Sequence, residues 1–364
     1  MEPKSIRFHW RLPLTGERPG RIKPPDKAKM GLTDIESQAG FCRLAEAMGI
    51  DSVLTAFSYY MPDPMLLAAA IGGMTEKIKF IVAYRPGLIS PTLFVQQVNT
   101  LSQLIQGRVS LNVVAGHSQK EQAFYGDHLD HDQRYARSTE FLRICHGLWD
   151  RDSDVSYDGQ FYHMAEAKVG TPFAGERGRP EIYLAGGSPP ARALALESAH
   201  CWLSLGEPPQ AVAARIQGMP LDRLDIGLRF SLIVRESREE AIQAAYAMIG
   251  QGDPEWINQV FIAGSDSQSM RALLEGSGEE EDWLTPTLWK GAVKSFGASS
   301  IALVGSPGDI AEAIMAYREV GVTQFILSGW SNSEEVERFG KMVLPLVREL
   351  EEQRFTAAAE PARP

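Results

Sequence analysis

The feature that most constrains this chain is a rhythm. Short runs rich in β-branched and aromatic residues alternate with longer segments of helical period, eight times over. The candidate strands are Ile6–Leu12, Ser52–Thr55, Ile78–Ala83, Val109–Val114, Glu181–Leu184, Cys201–Leu205, Ile226–Val234 and Gln324–Leu327. Between and after them lie candidate helices at Asp34–Met48, Pro64–Met74, Pro91–Ile105, Asp132–Asp150, Pro189–Ser198, Ala211–Gln217, Arg238–Ile249, Pro307–Val320 and Ser333–Gln353. Pro91 directly after Ser90 is a helix-start signature. Such alternation predicts an α/β fold with parallel strands, and eight strand–helix units predict a (β/α)8 TIM barrel. The competing open doubly wound sheet would carry a G-x-G-x-x-G loop after its first strand. Leu12-Pro-Leu-Thr-Gly-Glu-Arg-Pro-Gly lacks that spacing.

Two stretches interrupt the rhythm. Ser153–His163 reads as a hairpin about Asp158-Gly159. The segment from about 250 to 289, with Gly264-Ser-Asp-Ser and the acidic Glu279-Glu-Glu-Asp, is long enough to be a lid on the rim of a barrel. We expect one domain over 5–353 and a disordered tail over 354–364, removable after Gln353 without effect. A chain of 364 residues buries enough surface to fold without a metal or disulfide staple. Its net charge of -10 argues against a phosphate-backbone binder, so no nucleic-acid partner is expected. Three scattered cysteines (Cys42, Cys145, Cys201), no secretory signal and no run near the roughly 20 apolar residues of a membrane span lead us to expect a cytoplasmic, membrane-free protein.

In a barrel the chemistry sits where strands end. Asn112 is an amide inside an apolar strand: either it is aimed at a planar ligand or it bonds a neighbouring strand. Ala185-Gly-Gly-Ser-Pro-Pro brings Gly186, Gly187 and Ser188 to a helix start, a credible phosphate cradle and also a common tight turn. His131, Arg134, Tyr135 and Ser138 share one helical face. His128-x-x-His131 has no third ligand at a metal spacing, so no metal is expected. Arg229 interrupts an apolar strand, as a site residue or as half of a buried ion pair. Trp330, after the last strand, could cover a flat ligand or cap the barrel. There is no G-x-S-x-G elbow, P-loop or H-E-x-x-H, so hydrolase and NTPase readings lose their usual signals.

From Phe8 to Val347 the chain resembles the bacterial luciferase-like flavin monooxygenases, specifically the alkanesulfonate monooxygenase branch. The resemblance is carried, in order, by Leu44-Ala-Glu-Ala-Met-Gly-Ile-Asp, Arg85-Pro-Gly-Leu-Ile-Ser-Pro-Thr, Gly107-Arg, Leu111-Asn-Val-Val-Ala-Gly and Asp130-His-Asp-Gln-Arg-Tyr. Ala185-Gly-Gly-Ser, Leu205-Gly-Glu-Pro-Pro, Ile233-Val-Arg-Glu, Ala302-Leu-Val-Gly and Phe325-Ile-Leu-Ser-Gly complete it. The resemblance implies a TIM barrel that takes FMN as FMNH2 from a separate NAD(P)H:flavin reductase. It implies O2 as co-substrate, a peroxyflavin as oxidant, and a homodimer or homotetramer. By this similarity Asn112 stands near the reactive flavin edge. Tyr135, Gly186, Gly187 and Ser188 hold the phosphate, with His131 beside them, and 250–289 is a mobile lid.

Departures from the sulfonate-cleaving pattern bear on substrate. Met61 stands at their Cys, Ser231 at their His, Trp330 at their Tyr and Phe296 at their lid Arg, while the strand-seven arginine is kept as Arg229. The resemblance thus implies Arg229, Ser231 and Trp330 at the reaction and an apolar pocket of Tyr59, Tyr60, Met61 and Phe296, with Phe57 on the same rim and His9 near the ring. Fewer charge-assisted donors point to a larger, less anionic, partly hydrophobic substrate that is hydroxylated or undergoes Baeyer–Villiger-type insertion, in specialised metabolism. The alternatives are an alkanesulfonate monooxygenase releasing sulfite and aldehyde, and an inactive flavin-binding homologue.

Overall fold

The structure, a computed structural model, describes residues 4–14, 34–116, 118–150, 154–259, 267 and 282–356. Among the described residues twelve strands are formed: β1 (Arg7–Arg11), β2 (Ser52–Thr55), β3 (Lys79–Tyr84), β4 (Val109–Val113), β5 (Val155–Asp158), β6 (His163–Ala167), β7 (Ile182–Ala185), β8 (Cys201–Leu205), β9 (Asp225–Val234), β10 (Leu288–Trp289), β11 (Ala302–Gly305) and β12 (Val322–Gly329). Eight of them close a parallel barrel in the order β9-β12-β1-β2-β3-β4-β7-β8. The ring is sealed where Cys201 to Leu205 run beside Asp225 to Arg229. All eight are the strands the alternation predicts, so the TIM-barrel expectation holds.

Helices α1 (Ile35–Ala47), α2 (Pro64–Gly72), α3 (Pro91–Leu104), α4 (Gln119–Phe124), α5 (His131–Asp150), α6 (Pro189–Ser198), α7 (Pro209–Ile216) and α8 (Arg238–Ile249) follow their strands. Beyond them come α9 (Pro254–Ile257), α10 (Val293–Phe296), α11 (Pro307–Glu319), α12 (Asn332–Arg338) and α13 (Leu344–Glu351). Their starts are chemically specified. Ser90 accepts from the Leu93 amide, and Ser306 and Ser237 form capping boxes with Asp309 and Glu240. Alternate residues of each strand divide between two cores. Leu54, Ile81, Tyr183, Cys201, Leu203 and Ile326 fill the barrel; their neighbours in sequence, such as Val53, Val82 and Trp202, pack outward under the helices. Among the described residues no helix is long and apolar enough to cross a membrane.

The hairpin expected about Asp158-Gly159 forms as β5 and β6. Several other elements differ from the expectation. The second half of β9 carries an extra partner, β11, with Ser231 beside Ala302 and Val234 beside Gly305. Of the stretch 250–289 expected as a lid, Ile257 and Trp289 are buried in the fold, and residues 260–266 and 268–281 lie outside the described residues. The single helix expected over Ser333–Gln353 breaks into α12 and α13 around a wider π-type turn at Phe339–Val343. Pro345 has no amide to continue the ladder, and Gly340 lets this turn press on Met48, where a Cβ would stand 2.6 Å from Met48 Cβ. The tail expectation is corrected at its start, because helical structure continues through Thr356. Arg354 pairs there with Glu312 and Glu319, and Arg318 lies 4.7 Å over the Phe355 ring. Residues 357–364 lie outside the described residues.

Candidate functional site

The carboxyl ends of the strands open into a cavity of about 1140 Å³, its open mouth included. Strand parity decides what lines it. Leu54, Leu203 and Ile326 are inward positions at or near strand ends and make an apolar wall; Asn112 and Arg229 have the same parity and put an amide and a guanidinium on it. Asn112 is 7% exposed, and its Oδ1 is buried without a hydrogen-bond partner. An orphaned buried acceptor costs about 1–3 kcal/mol, a cost that a donor from a molecule in the cavity would remove.

At another part of the wall stand Gly186, Gly187 and Ser188, between β7 and α6. Gly186 has φ +142°, and a Cβ there would fall 2.7 Å from both Ala191 Cβ and Tyr135 Oη, so only glycine fits the turn. Ser188 caps α6, its Oγ accepting from the Ala191 amide at 3.4 Å. The helix thus presents amides and the positive end of its dipole toward the cavity. From α5, His131 and Tyr135 complete this end with ring centroids 4.9 Å apart. His131 Nδ1 is 2.7 Å from Asp132 Oδ1. Arg134, on the same predicted face, does not join them. It is 1% exposed and donates to the carbonyls of Ala115, Leu129 and Gly116, bracing the loop after β4. Ser138 donates back to the Arg134 carbonyl.

Other expected residues stand outside the lining. Ser231 lies one layer behind it, its hydroxyl bonded to the Ser299 carbonyl at 3.3 Å and 3.1 Å from Ser328 Oγ, while Ser299 itself faces the cavity. Phe296 is 1% exposed and packs edge-on against Trp330 with centroids 4.5 Å apart. Tyr59 is 53% exposed and packs on Tyr60 and Phe124. The reason is local: the Glu121 carboxylate accepts from Ser58 Oγ and the Tyr59 amide and pairs with Arg85 at 3.0 Å, drawing the Phe57–Met61 loop toward α4. Tyr60 and Met61 follow that loop and are half-buried off the lining. His9 sits deeper, 1% exposed, between Ser52 and Gln324. The sequence reading missed Leu203, Ser204 and Ser299; inward parity would have found Leu203. Of Gly264-Ser-Asp-Ser only Ser267 is described, and it lines the cavity. Among the described residues no group of three or more His, Cys, Asp and Glu is placed to hold a metal.

A barrel with an amide, a guanidinium and a glycine–serine turn around one cavity defines a class before it defines a chemistry. The profile of luciferase-like monooxygenases matches residues 14–324, and the chain belongs to that family. Among solved structures it superimposes on riboflavin lyase (RcaE), captured with modified FMN and riboflavin, at TM-score 0.77 and 18% identity over 97% of this chain and 96% of that one. It also matches EDTA monooxygenase (EmoA) from Chelativorans sp. BNC1 at TM-score 0.72 and 20% identity, covering 95% and 94%. The same fold serves an F420-dependent secondary alcohol dehydrogenase, TM-score 0.65 at 15% identity over 94% and 99%. At these identities the likeness is one of fold.

Proposed function

We propose that this protein is a flavin-dependent oxidoreductase of the cytoplasm that takes FMNH2 from a separate NAD(P)H:flavin reductase and uses O2 to oxygenate an organic, partly hydrophobic substrate. The observation that carries the reading is the orphaned Asn112 Oδ1 on the wall of a cavity that also holds the Gly186-Gly187-Ser188 turn. The residues fit FMN: Asn112 supplies an acceptor for a ring N–H, and Gly187, Ser188, His131 and Tyr135 supply the phosphate end. When bound, reduced FMN would supply the electrons with which one atom of O2 enters the substrate and the other leaves as water. Leu54, Leu203 and Ile326 keep water off the ring site, which strengthens every polar contact inside it. Arg229 lends positive charge to whatever oxygen-rich group faces it. A separate reductase agrees with a sequence that has no dinucleotide-binding G-x-G-x-x-G loop after its first strand.

Mixing the FMNH2-loaded protein with O2 tests this. Flavin reoxidation is expected at least tenfold slower than for free FMNH2, and F420 should not compete for the site. Reoxidation at the free-solution rate, or preference for F420, would overturn the proposal. Arg229 on the wall favours one second reading, a sulfonate substrate. Sulfite release from short alkanesulfonates in the presence of a reductase would select it.

A further inference from the structure

We infer that Trp202 and Arg215, neither of which lines the cavity, are positioning residues that aim a backbone amide of the Gly186-Gly187-Ser188 turn at a bound phosphate. The inference rests on the reading of that turn as the phosphate end of a flavin nucleotide site. Trp202 lies on β8 with the outward parity, 2% exposed in the layer between barrel and helices. A buried indole N–H usually finds an acceptor. Here the acceptor is the Gly186 carbonyl at 2.8 Å, in a residue whose backbone no side chain tolerates. The Gly186 amide is bound in turn to the Leu203 carbonyl at 3.4 Å, so both faces of this residue are tied to β8.

Peptide planarity carries the consequence inward. The Gly186–Gly187 bond is trans, so the Gly187 N–H points opposite to the Gly186 carbonyl and away from Trp202, in a residue that lines the cavity. Fixing the carbonyl therefore fixes the amide. Arg215 on α7 holds the bracket from behind. Its guanidinium lies 5.4 Å over the Trp202 ring, and it donates to Ser204 Oγ at 2.7 Å and pairs with Glu207 at 3.0 Å. Ser204 is itself a wall residue. One cation thus steadies two neighbouring parts of the wall.

The test compares FMNH2 with reduced riboflavin, which lacks the phosphate, by anaerobic calorimetric titration. The wild-type protein is expected to bind FMNH2 more tightly. Trp202→Phe, which keeps the ring and loses the N–H, should weaken FMNH2 binding roughly tenfold and leave riboflavin binding unchanged. Equal losses for both ligands would make Trp202 a packing residue, and no loss for either would remove it from the site; both outcomes overturn the inference. A wild-type protein that does not prefer FMNH2 would overturn the phosphate reading itself, and the inference with it. Should Trp202→Phe fail to fold, Arg215→Gln decides. A phosphate-selective loss of about threefold, restored by Arg215→Lys, supports the bracket, and an unselective change or none overturns it.

Discussion

Asn112 is expected to cost the folded chain stability. The strand around it is Val, Ser, Leu and Val, its register partners are Ala83 and Tyr183, and its Oδ1 is sealed from water with nothing to accept. Replacing such a group by an apolar one of like shape is neutral or stabilising, because the desolvation cost disappears with the group. Asn112→Leu is therefore expected to melt no lower than the wild type, with a gain of up to about 1 kcal/mol, and to bind reduced FMN at least tenfold more weakly. Calorimetry gives both numbers. A melting temperature several degrees lower would show that Asn112 holds strands together and that the ligand reading of it is wrong. Gly186 makes the complementary case, since its constraint is steric: the 2.7 Å approach of Tyr135 Oη leaves no room for a methyl group.

The elements divide by how local their causes are. Strand parity, Pro at helix starts and serine caps are written in adjacent residues, which is why all eight barrel strands and the turn at Gly186 could be read from the sequence. The Phe57–Met61 loop could not, because its path is set by Glu121, some sixty positions away, on a short helix α4 that carries little periodicity of its own. Ser231 was legible as an inward residue but not as one covered by Ser299, since that depends on the chain returning through α10. The end of the chain has the same cause. Arg354 and Phe355 look like a polar tail until Glu312, Arg318 and Glu319 of α11 are placed beside them. Exposed pairs contribute little each, about 0–1 kcal/mol, so ending the chain at Gln353 rather than Thr356 should lower stability by about 1 kcal/mol in urea titration. No difference between the two chains would return these residues to the tail.

At the scale of the whole molecule, the end of the barrel where its strands begin is set up to fail in acid. His9 is enclosed among β1, β2 and β12, where burial first and then the Arg7 guanidinium lower its pKa to about 4, against weaker opposing pulls from Gln324, Asp51 and Glu181. Gln324 donates to Asp225 at 2.6 Å, so its carbonyl oxygen must accept from His9 Nε2–H, and Nδ1 accepts from Ser52 Oγ. A second proton, on Nδ1, requires the Ser52 hydroxyl to turn from donor to acceptor and places a charge in a buried site. His200, whose Nδ1 accepts from the Ile182 amide at 3.0 Å, is likewise held down to about 4, chiefly by burial. Both folded values lie below the unfolded 6.5, so between pH 4 and 6.5 the unfolded chain binds more protons and stability must rise with pH. The contribution is complete above pH 6.5 and is lost as pH falls toward 4, about 3 kcal/mol for His9, with His200 acting in the same direction. Glu181 and Asp225, held low against burial by Arg7 and Lys4, extend the loss below their ordinary carboxylate range. Glu335, raised by burial, opposes it. Urea unfolding at pH 5 and pH 7 is expected to show the lower stability at pH 5, and His9→Gln should flatten the slope. Equal stability at the two pH values, with no change of slope in His9→Gln, would mean that His9 is protonated in the folded barrel, and that the Ser52–His9–Gln324–Asp225 chain does not hold in solution.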